Sequence, residues 1–295
     1  MAMIRFGDGG IATVPVEMLK NDVKMELAKN PKKVPEDFLL AMIKDVVIEK
    51  RIDGYFRTPD CILVEELASN HDTPPSIISA LVERYGNTYI LTSIAKNPAT
   101  PIEILWKIFS ERKTWDPIEA LAENPATPEK MIEKILSLAY NGLTYRLLSE
   151  EREFRVNIIE KILFNPSSGS KIKIDILDHY YFKPDKGCDN QKDLAWKKHI
   201  RDRLCASDET SKDVIFYLMD SSNLELIAIN SNSDEEIIEK VYNIQEQRFQ
   251  KGSTKVLVAL LAANPRTPIK ILEEISKRSG IIGHIAQNNL KCRKS

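Results

Sequence analysis

A short phrase, Leu-Ala-x-Asn-Pro-x-Thr-Pro, recurs with small variations along this chain of 295 residues. Its three clearest copies occupy residues 94–101, 121–128 and 261–268. A phrase that returns every two or three dozen residues is typical of a solenoid, a stack of small units that bury their apolar faces only against one another. This repetition restricts the fold more than any other feature of the sequence.

The asparagine of the phrase serves as an anchor for aligning weaker copies. The shortest intervals between anchors indicate a unit of about two dozen residues, and the longer intervals indicate units with insertions. The anchors are Asn30, Asn70, Asn97, Asn124, Asn165, Ser207, Asn230, Asn264 and Asn288.

The residues around each anchor predict a local structure. Asparagine followed by proline is typical of a turn, because the Asn side chain can bond nearby backbone and the residue before proline avoids the helical region. Threonine is a good N-cap, and proline is tolerated at the first helical position, so a helix is expected to begin at each Thr-Pro. Two glutamates, Glu103 after Thr100 and Glu236 after Ser233, would complete capping boxes.

The residues that follow each anchor form one apolar stripe at helical spacing. The stripe takes positions seven, eight, eleven and twelve after the anchor, as in Ile77, Ile78, Leu81 and Val82. A second, shorter helix is expected before each anchor, where a small alanine allows a neighbouring unit to approach closely. A single unit buries too little apolar surface to offset its ordering entropy. We therefore expect one continuous all-α superhelix over residues 1–295.

The phrase resembles that of the leucine-rich repeat variant family of bacterial helical solenoids. The resemblance is close over residues 70–136 and 260–275 and fainter between them. It implies a right-handed superhelix of alternating α- and 3₁₀-helices without strands, and a binding scaffold. The first described member also carries a cysteine cluster with an iron–sulfur centre, which this chain lacks in its sequence, so no cofactor is expected.

Composition adds few constraints on function. A formal net charge of −1 gives no general attraction to nucleic acid or to anionic membranes. The first ten residues lack an apolar signal region, and no stretch is long and apolar enough to span a bilayer. The four cysteines are far apart in sequence, which favours a reduced, cytoplasmic protein. They are Cys61, Cys188, Cys205 and Cys292.

The longest departure from the repeat is an insertion at residues 169–203, where an aromatic group is followed by a basic stretch. Aromatic rings beside cations can contact a partner, and they can also stack on bases and hold phosphates. The competing interpretation is that the rings pack the insertion onto the solenoid while the charges face water. The candidate partner-binding residues are Tyr180, Tyr181, Phe182, Trp196, Lys197, Lys198 and Arg201.

The C-terminal segment, residues 276–295, is basic and contains no Asp or Glu. We expect a C-terminal cap or tail, which is either solubilising and disordered or a contact for nucleic acid or an acidic partner. Ile281, Ile282 and Ile285 in the same segment indicate apolar surface on the last unit. The sequence does not determine an oligomeric state.

No residue pattern favours a metal site or an active site. His179, Cys188, His199 and Cys205 share one window, but zinc ligands usually come in closely spaced pairs, which are absent from this window. The sequence contains no glycine-rich phosphate loop and no nucleophile elbow. We therefore expect no catalytic residues, no metal and no enzymatic activity.

The leading functional hypothesis is a scaffold that binds a protein or peptide on its concave surface and insertion. The variable positions between each anchor and the next helix would line a ridge of mixed chemistry, from Lys32, Lys33 and Asp72 to Arg266. The alternative is a nucleic-acid-binding repeat protein that uses the basic stretch at residues 192–203 and the C-terminal cations. No membrane partner is expected.

Overall fold

The computed structural model shows an all-α protein. The residues that it describes are 2–5, 11–14, 16–44, 46, 50–51, 54–55, 59–85, 88–111, 114–141, 149–182, 191–220, 222–230, 232–249 and 255–294. The chain divides into two compact units, which are Met1–Gly169 and Ser170–Ser295.

Two small antiparallel hairpins depart from the all-helical pattern that the family resemblance implies. Strands β1 (Ala2–Arg5) and β2 (Ile11–Val14) form the first hairpin, with Ala2 opposite Val14. Strands β3 (Lys50–Arg51) and β4 (Gly54–Tyr55) form the second. Both hairpins belong to the first unit.

The helices of the first unit alternate along the chain between those that end at an anchor and those that follow one. They are α1 (Asn21–Lys29), α2 (Glu36–Lys44), α3 (Pro59–Ser69), α4 (Pro75–Arg84), α5 (Thr88–Lys96), α6 (Ile102–Glu111), α7 (Asp116–Glu123), α8 (Glu129–Asn141) and α9 (Ser149–Phe164). Short 3₁₀-helices occupy Val16–Met18 and Pro31–Lys33.

The second unit continues the alternation. Its helices are α10 (Ser170–Ile176), α11 (Gln191–Ala206), α12 (Lys212–Leu218), α13 (Leu224–Ile229), α14 (Glu235–Phe249), α15 (Lys255–Ala263), α16 (Ile269–Ser276) and α17 (Ile281–Lys294). One π-helical segment, Leu177–Phe182, extends α10. We call the odd-numbered helices of the first unit, together with α11, α13, α15 and α17, the pre-anchor helices.

The predicted apolar stripe forms the core of each unit. Ile77, Ile78 and Leu81 are completely buried on α4, and the equivalent residues of α8 and α14 are buried as well. In the first copy the stripe shifts by one residue, as the sequence predicts, and Phe38 and Leu39 are buried. The positions of the helices after each Thr-Pro are therefore confirmed.

The predicted role of the threonine is wrong. Helix α6 begins at Ile102, and the carbonyl of Pro101 accepts the hydrogen bond from the amide of Leu105. The buried hydroxyl of Thr100 turns the other way and donates to the carbonyl of Ile94, 2.6 Å away in the preceding helix. It therefore satisfies a carbonyl at the end of one helix instead of an amide at the start of the next. The same six-residue contact recurs at Thr73, Thr127, Ser168, Ser233 and Thr267.

The anchor asparagine makes the predicted turn and also joins consecutive copies. Asn124 Oδ1 accepts a hydrogen bond from the backbone amide of Ala126 at 2.8 Å. Its Nδ2 donates to the carbonyls of Ala95 and Asn97 in the preceding copy, at 2.7 and 2.9 Å. One buried side chain thus satisfies two backbone carbonyls of the neighbouring copy. Equivalent pairs of bonds come from Asn97, Asn165 and Asn230.

In the first and last copies, the bonding pattern of the anchor asparagine is shifted by one residue. Asn70 donates to the carbonyls of Ala28 and Lys29, consistent with the late proline of the first copy. At the C-terminus the anchor is Asn289 and not Asn288. The Nδ2 of Asn289 donates to Ala262 and Asn264 at 3.0 and 2.9 Å, whereas Asn288 is exposed.

Candidate binding surface

On the pre-anchor helices of the second unit, residues at equivalent positions before the anchor lie on the same side of the unit. Asn264 donates to the carbonyl of Ala228, and Asn289 donates to those of Ala262 and Asn264. Because these bonds fix α13, α15 and α17 side by side, residues at the same distance before each anchor lie next to one another.

Apolar residues occupy these positions and remain accessible to solvent. Ile229 on α13, Val256 on α15 and Ile281 on α17 are 58%, 55% and 77% exposed. The same helices also carry the half-buried Leu226, Ala259, Leu260 and Ile285 and the exposed Ala263. We call this surface the apolar strip, and it consists of Leu226, Ile229, Val256, Ala259, Leu260, Ala263, Ile281 and Ile285.

Most residues of the apolar strip are not predicted from the sequence. Only the α17 end, with Ile281 and Ile285, is expected from the sequence. The sequence does contain a pattern that indicates the strip: Leu226 and Leu260 both lie four residues before an anchor, as Ile285 does before Asn289. Aligning the exposed face of the short helices, as well as the buried stripe, would have found it.

The corresponding surface of the first unit carries charges of both signs, and two apolar residues on it, Ile62 on α3 and Tyr89 on α5, are 38% and 39% exposed. Glu66 on α3 and Ser93 on α5 lie four residues before their anchors, and Lys96 and Glu123 lie one residue before theirs. Lys161 bridges Glu119 and Glu123 at 2.9 and 2.8 Å. Burial opposes the charge of Lys161, but the bonds to both carboxylates outweigh it and raise its pKa. The same repeat face therefore carries paired charges of both signs in the first unit and is more apolar in the second.

Cations border the apolar strip. Lys198 and Lys255 are exposed and lie nine residues before the anchors of α11 and α15, and Lys291 is exposed near the end of α17. Beyond these, Lys197 is half-buried and Arg203 is exposed on α11. The acidic residues on these four helices are Asp193, whose side chain lies outside the described residues, Asp202, which lies 3.9 Å from Arg201, and Glu225.

The structure places the predicted partner-binding residues on two segments. Tyr180, Tyr181 and Phe182 fall in the π-helical segment, and Trp196 falls on α11, but these four side chains lie outside the described residues. Lys197, Lys198 and Arg201 share α11 with Trp196. Arg201 donates to a carboxylate oxygen of Asp220 at 2.7 Å, so its charge is held within the unit.

Of the two expectations for the C-terminal segment, the structure shows a helical cap and not a disordered tail. Residues 281–294 form α17, which packs against α15 and α16 and buries Ala286. Arg293 donates to the carbonyl of Thr267 at 2.8 Å, and Arg278 pairs with Glu246. Gly280 permits the turn into this helix because its φ of 88° disfavours other residues. The segment is a cap on the second unit.

The predicted ridge positions contact one another between consecutive copies. Lys32 pairs with Asp72, which lowers the pKa of that carboxyl group. In the second unit, Asn232 donates to the carbonyl of Asp208. These ridge side chains are therefore bonded within the protein and are less available to a partner.

Cys205 is a structural residue at the small position of its copy. It is completely buried, and its sulfur accepts a hydrogen bond from Asn223 Nδ2 at 3.3 Å. Burial raises the pKa of the thiol to about 12, which keeps it protonated and unreactive. Cys188 lies outside the described residues. Within the described part of the chain, no group of three or more His, Cys, Asp or Glu side chains is arranged to hold a metal ion.

A groove of about 540 Å³ lies between α2 and α4. Its lining combines four charged residues of both signs with four apolar ones, namely Asp37, Lys44, Glu83, Arg84, Leu40, Ala41, Ile43 and Ala80. Nothing in this lining distinguishes a class of ligand.

Comparisons with known proteins do not extend this picture. No protein-family model matches the chain, and no curated protein matches it. Among the described residues, none of the helices has the length and apolar character needed to cross a membrane. The class that the structure defines is an all-α protein, and its most distinctive exposed surface is the apolar strip.

Proposed function

We propose that this protein is a non-enzymatic scaffold that binds another protein or a peptide. The observation that carries the proposal is the apolar strip, where large aliphatic side chains from three adjacent helices are exposed together. A contiguous apolar surface of this kind marks interaction sites more often than isolated exposed residues do. Depletion of charge at its centre and cations at its border match the anatomy of protein interfaces.

The proposal includes a solenoid architecture of the leucine-rich repeat variant type. Its support is the regular bonding of each anchor asparagine to the copy before it, within each unit. In a solenoid, each copy contacts its neighbours, and equivalent exposed positions line up into an extended binding surface. The apolar strip has this arrangement.

A nucleic-acid-binding function is the weaker alternative. Phosphate binding requires cations that are available to the ligand. Of the cations expected to form that site, Arg201, Arg278 and Arg293 are engaged within the second unit. The remaining exposed lysines surround an apolar surface instead of a continuous basic track.

A nuclease-treated pull-down from the native host tests the proposal. The full chain serves as bait beside an Ile229→Ser/Val256→Ser variant and a control variant, Ile102→Ser/Ile269→Ser. The control removes isoleucines that are 52% and 47% exposed on other surfaces. We expect the wild-type and control baits to capture the same protein and the strip variant to lose it. Capture of no protein under several growth conditions would contradict the proposal.

A gel-shift titration with DNA and RNA tests the alternative. Phosphate contacts are strongest at low salt and weaken steeply as salt rises. A low-salt shift that Lys197→Glu/Lys198→Glu abolishes would favour nucleic-acid binding over the scaffold function.

A further inference from the structure

We propose that the apolar strip binds an amphipathic α-helix whose apolar face is flanked by acidic residues. The inference rests on the proposed scaffold function, and it adds the chemical class of the partner. Its basis is the size of the strip, its relief and the charges around it.

The size of the strip matches one helix lying across three. Neighbouring packed helices are about 8–10 Å apart, so α13, α15 and α17 together span about 20 Å. Along α15, the strip runs from Val256 to Ala263, which corresponds to about 10 Å at 1.5 Å per residue. A surface of these dimensions accommodates roughly 13 residues of a crossing helix, at 1.5 Å of rise per residue.

The relief of the strip also suits a helix. The largest exposed side chains lie on the two outer helices, with Ile229 on α13 and Ile281 on α17. The middle helix combines the exposed Val256 and the half-buried Leu260 with the small Ala259 and Ala263, which leave space beside the larger side chains. Helix-in-groove recognition uses such spaces to receive apolar side chains at positions i, i+3 or i+4, and i+7.

The charges around the strip select an acidic partner. Lys198, Lys255 and Lys291 are exposed at its border, and Glu225 is the one acidic residue on α13, α15 and α17, while Asp202 lies one turn from Lys198 on α11. A helix with Asp and Glu beside its apolar face gains attraction at this border, whereas a basic helix is repelled.

The favoured partner is a protein segment and not a nucleic acid or a lipid surface. The base-stacking contacts of single-stranded nucleic acid need aromatic side chains, and the strip is entirely aliphatic. A flat bilayer is contacted best by an uninterrupted set of protruding apolar side chains, whereas on α15 the small Ala259 and Ala263 lie beside Val256 and Leu260. Both alternatives enter the test as outcomes that would overturn the inference.

Fluorescence anisotropy with labelled synthetic peptides tests the inference on the full chain. The probe is a 16-residue helical peptide with leucines at helical spacing and glutamates beside them. The comparison peptides carry lysine in place of each glutamate, or the same residues in scrambled order. We expect the acidic peptide to bind at least about ten-fold more tightly than either comparison peptide, which corresponds to one decade in Kd.

Variants locate the binding site. We expect Ile229→Ser/Val256→Ser to weaken binding of the acidic peptide by at least about five-fold, as hot-spot truncations do. Lys198→Glu/Lys255→Glu should weaken the acidic peptide and strengthen its lysine counterpart. The matched controls, Ile269→Ser and Lys270→Glu on α16, should change either affinity by less than about two-fold. Circular dichroism of each variant checks that the helices are retained.

The outcomes separate this inference from the function on which it rests. Equal binding of the acidic and basic peptides overturns the acidic-helix inference, while the scaffold function stands if the pull-down partner still depends on the strip. Strip-dependent binding to vesicles of phosphatidylserine and phosphatidylcholine, or to an oligonucleotide, without peptide binding also overturns it. If the strip variant changes neither the peptide binding nor the pull-down, both proposals are wrong.

Discussion

The anchor asparagine is the residue on which the regularity of each unit depends. Its amide group provides two donors and one acceptor, and Asn124 uses all three within the backbone. No other side chain combines this size with these groups, because aspartate lacks the donors and glutamine is longer. The repeated phrase is therefore a bonding device between copies as well as a turn.

Replacing Asn124 with alanine should destabilise the first unit substantially. Asn124→Ala leaves the carbonyls of Ala95 and Asn97 without their partner in a buried site, at a cost of about 2–4 kcal/mol. Asn30→Ala is the matched control, because Asn30 bonds Glu26 through one exposed 3.4 Å contact, and it should cost less than about 0.5 kcal/mol. Urea denaturation measures both, and equal losses would contradict the bonding role.

Threonine at the turn should tolerate serine but not valine. Thr127→Val keeps the shape but removes the 2.6 Å bond from the hydroxyl to the carbonyl of Leu121, which should cost about 1–2 kcal/mol. Thr127→Ser keeps the bond, as Ser168 and Ser233 do in their copies, and should cost less. Thermal unfolding compares the two variants. A larger loss for serine than for valine would show that the hydroxyl bond contributes little.

Lys173 is the one charged side chain that is buried among the described residues, at 5% exposure. Burial lowers its pKa, so the folded state holds the proton less tightly than the unfolded state, and the charge destabilises the fold below pH 10.5. Lys173→Met should therefore raise the free energy of unfolding at pH 7 by about 1 kcal/mol. Lys171→Met, at an exposed site, is the control.

The pH dependence provides an independent check on Lys173. The penalty in the wild-type protein should shrink as pH rises from the lowered folded pKa towards 10.5, so the advantage of Lys173→Met should also shrink over that range. Denaturation midpoints at pH 7 and pH 10 measure the change. An advantage that grows with pH would contradict the assignment of the penalty to the buried charge.

At the scale of helices, the sequence predicts the elements well and their ends less well. The apolar stripe identifies the helices after each anchor because burial imposes the 3.6-residue period on every copy. The threonine hydroxyl was misassigned because an N-cap and a bond to the preceding helix use the same residue type. The conformation of the C-terminal segment was missed because its charge suggested solvent, whereas its small and apolar residues pack on α15 and α16.

The final copy offers a direct test of this register. Asn289→Ala should destabilise the second unit by about 2 kcal/mol, because the carbonyls of Ala262 and Asn264 lose their donor. Asn288→Ala changes the neighbouring, exposed residue and should cost less than about 0.5 kcal/mol. Urea denaturation of the two single variants decides between the anchors. A greater loss for Asn288→Ala would restore the register expected from the sequence.

At the scale of the molecule, the two units use one repeat for different surfaces. Most buried positions keep the same chemistry in both units because they face equivalent neighbours, although Lys173 replaces an apolar residue of the stripe on α10. The exposed positions of the pre-anchor helices are free to differ, with Glu66 and Ser93 in the first unit and Leu226 and Leu260 in the second. The repeated phrase therefore predicts the buried framework. The chemistry of the surface depends on the exposed positions of the pre-anchor helices, which the phrase does not specify.

The bonding between copies also predicts how a local defect spreads. Within the first unit, the side-chain amides of Asn97, Asn124 and Asn165 each reach the copy immediately before their own. Stability in such an array depends on nearest-neighbour interfaces. Asn124→Ala should therefore raise amide hydrogen exchange in α5, α7 and α9, with little change in α1 and α2. Mass spectrometry of peptic fragments measures this pattern, with Asn30→Ala as the reference. A uniform increase across residues 16–141 would mean that the unit unfolds as a single cooperative body and not copy by copy.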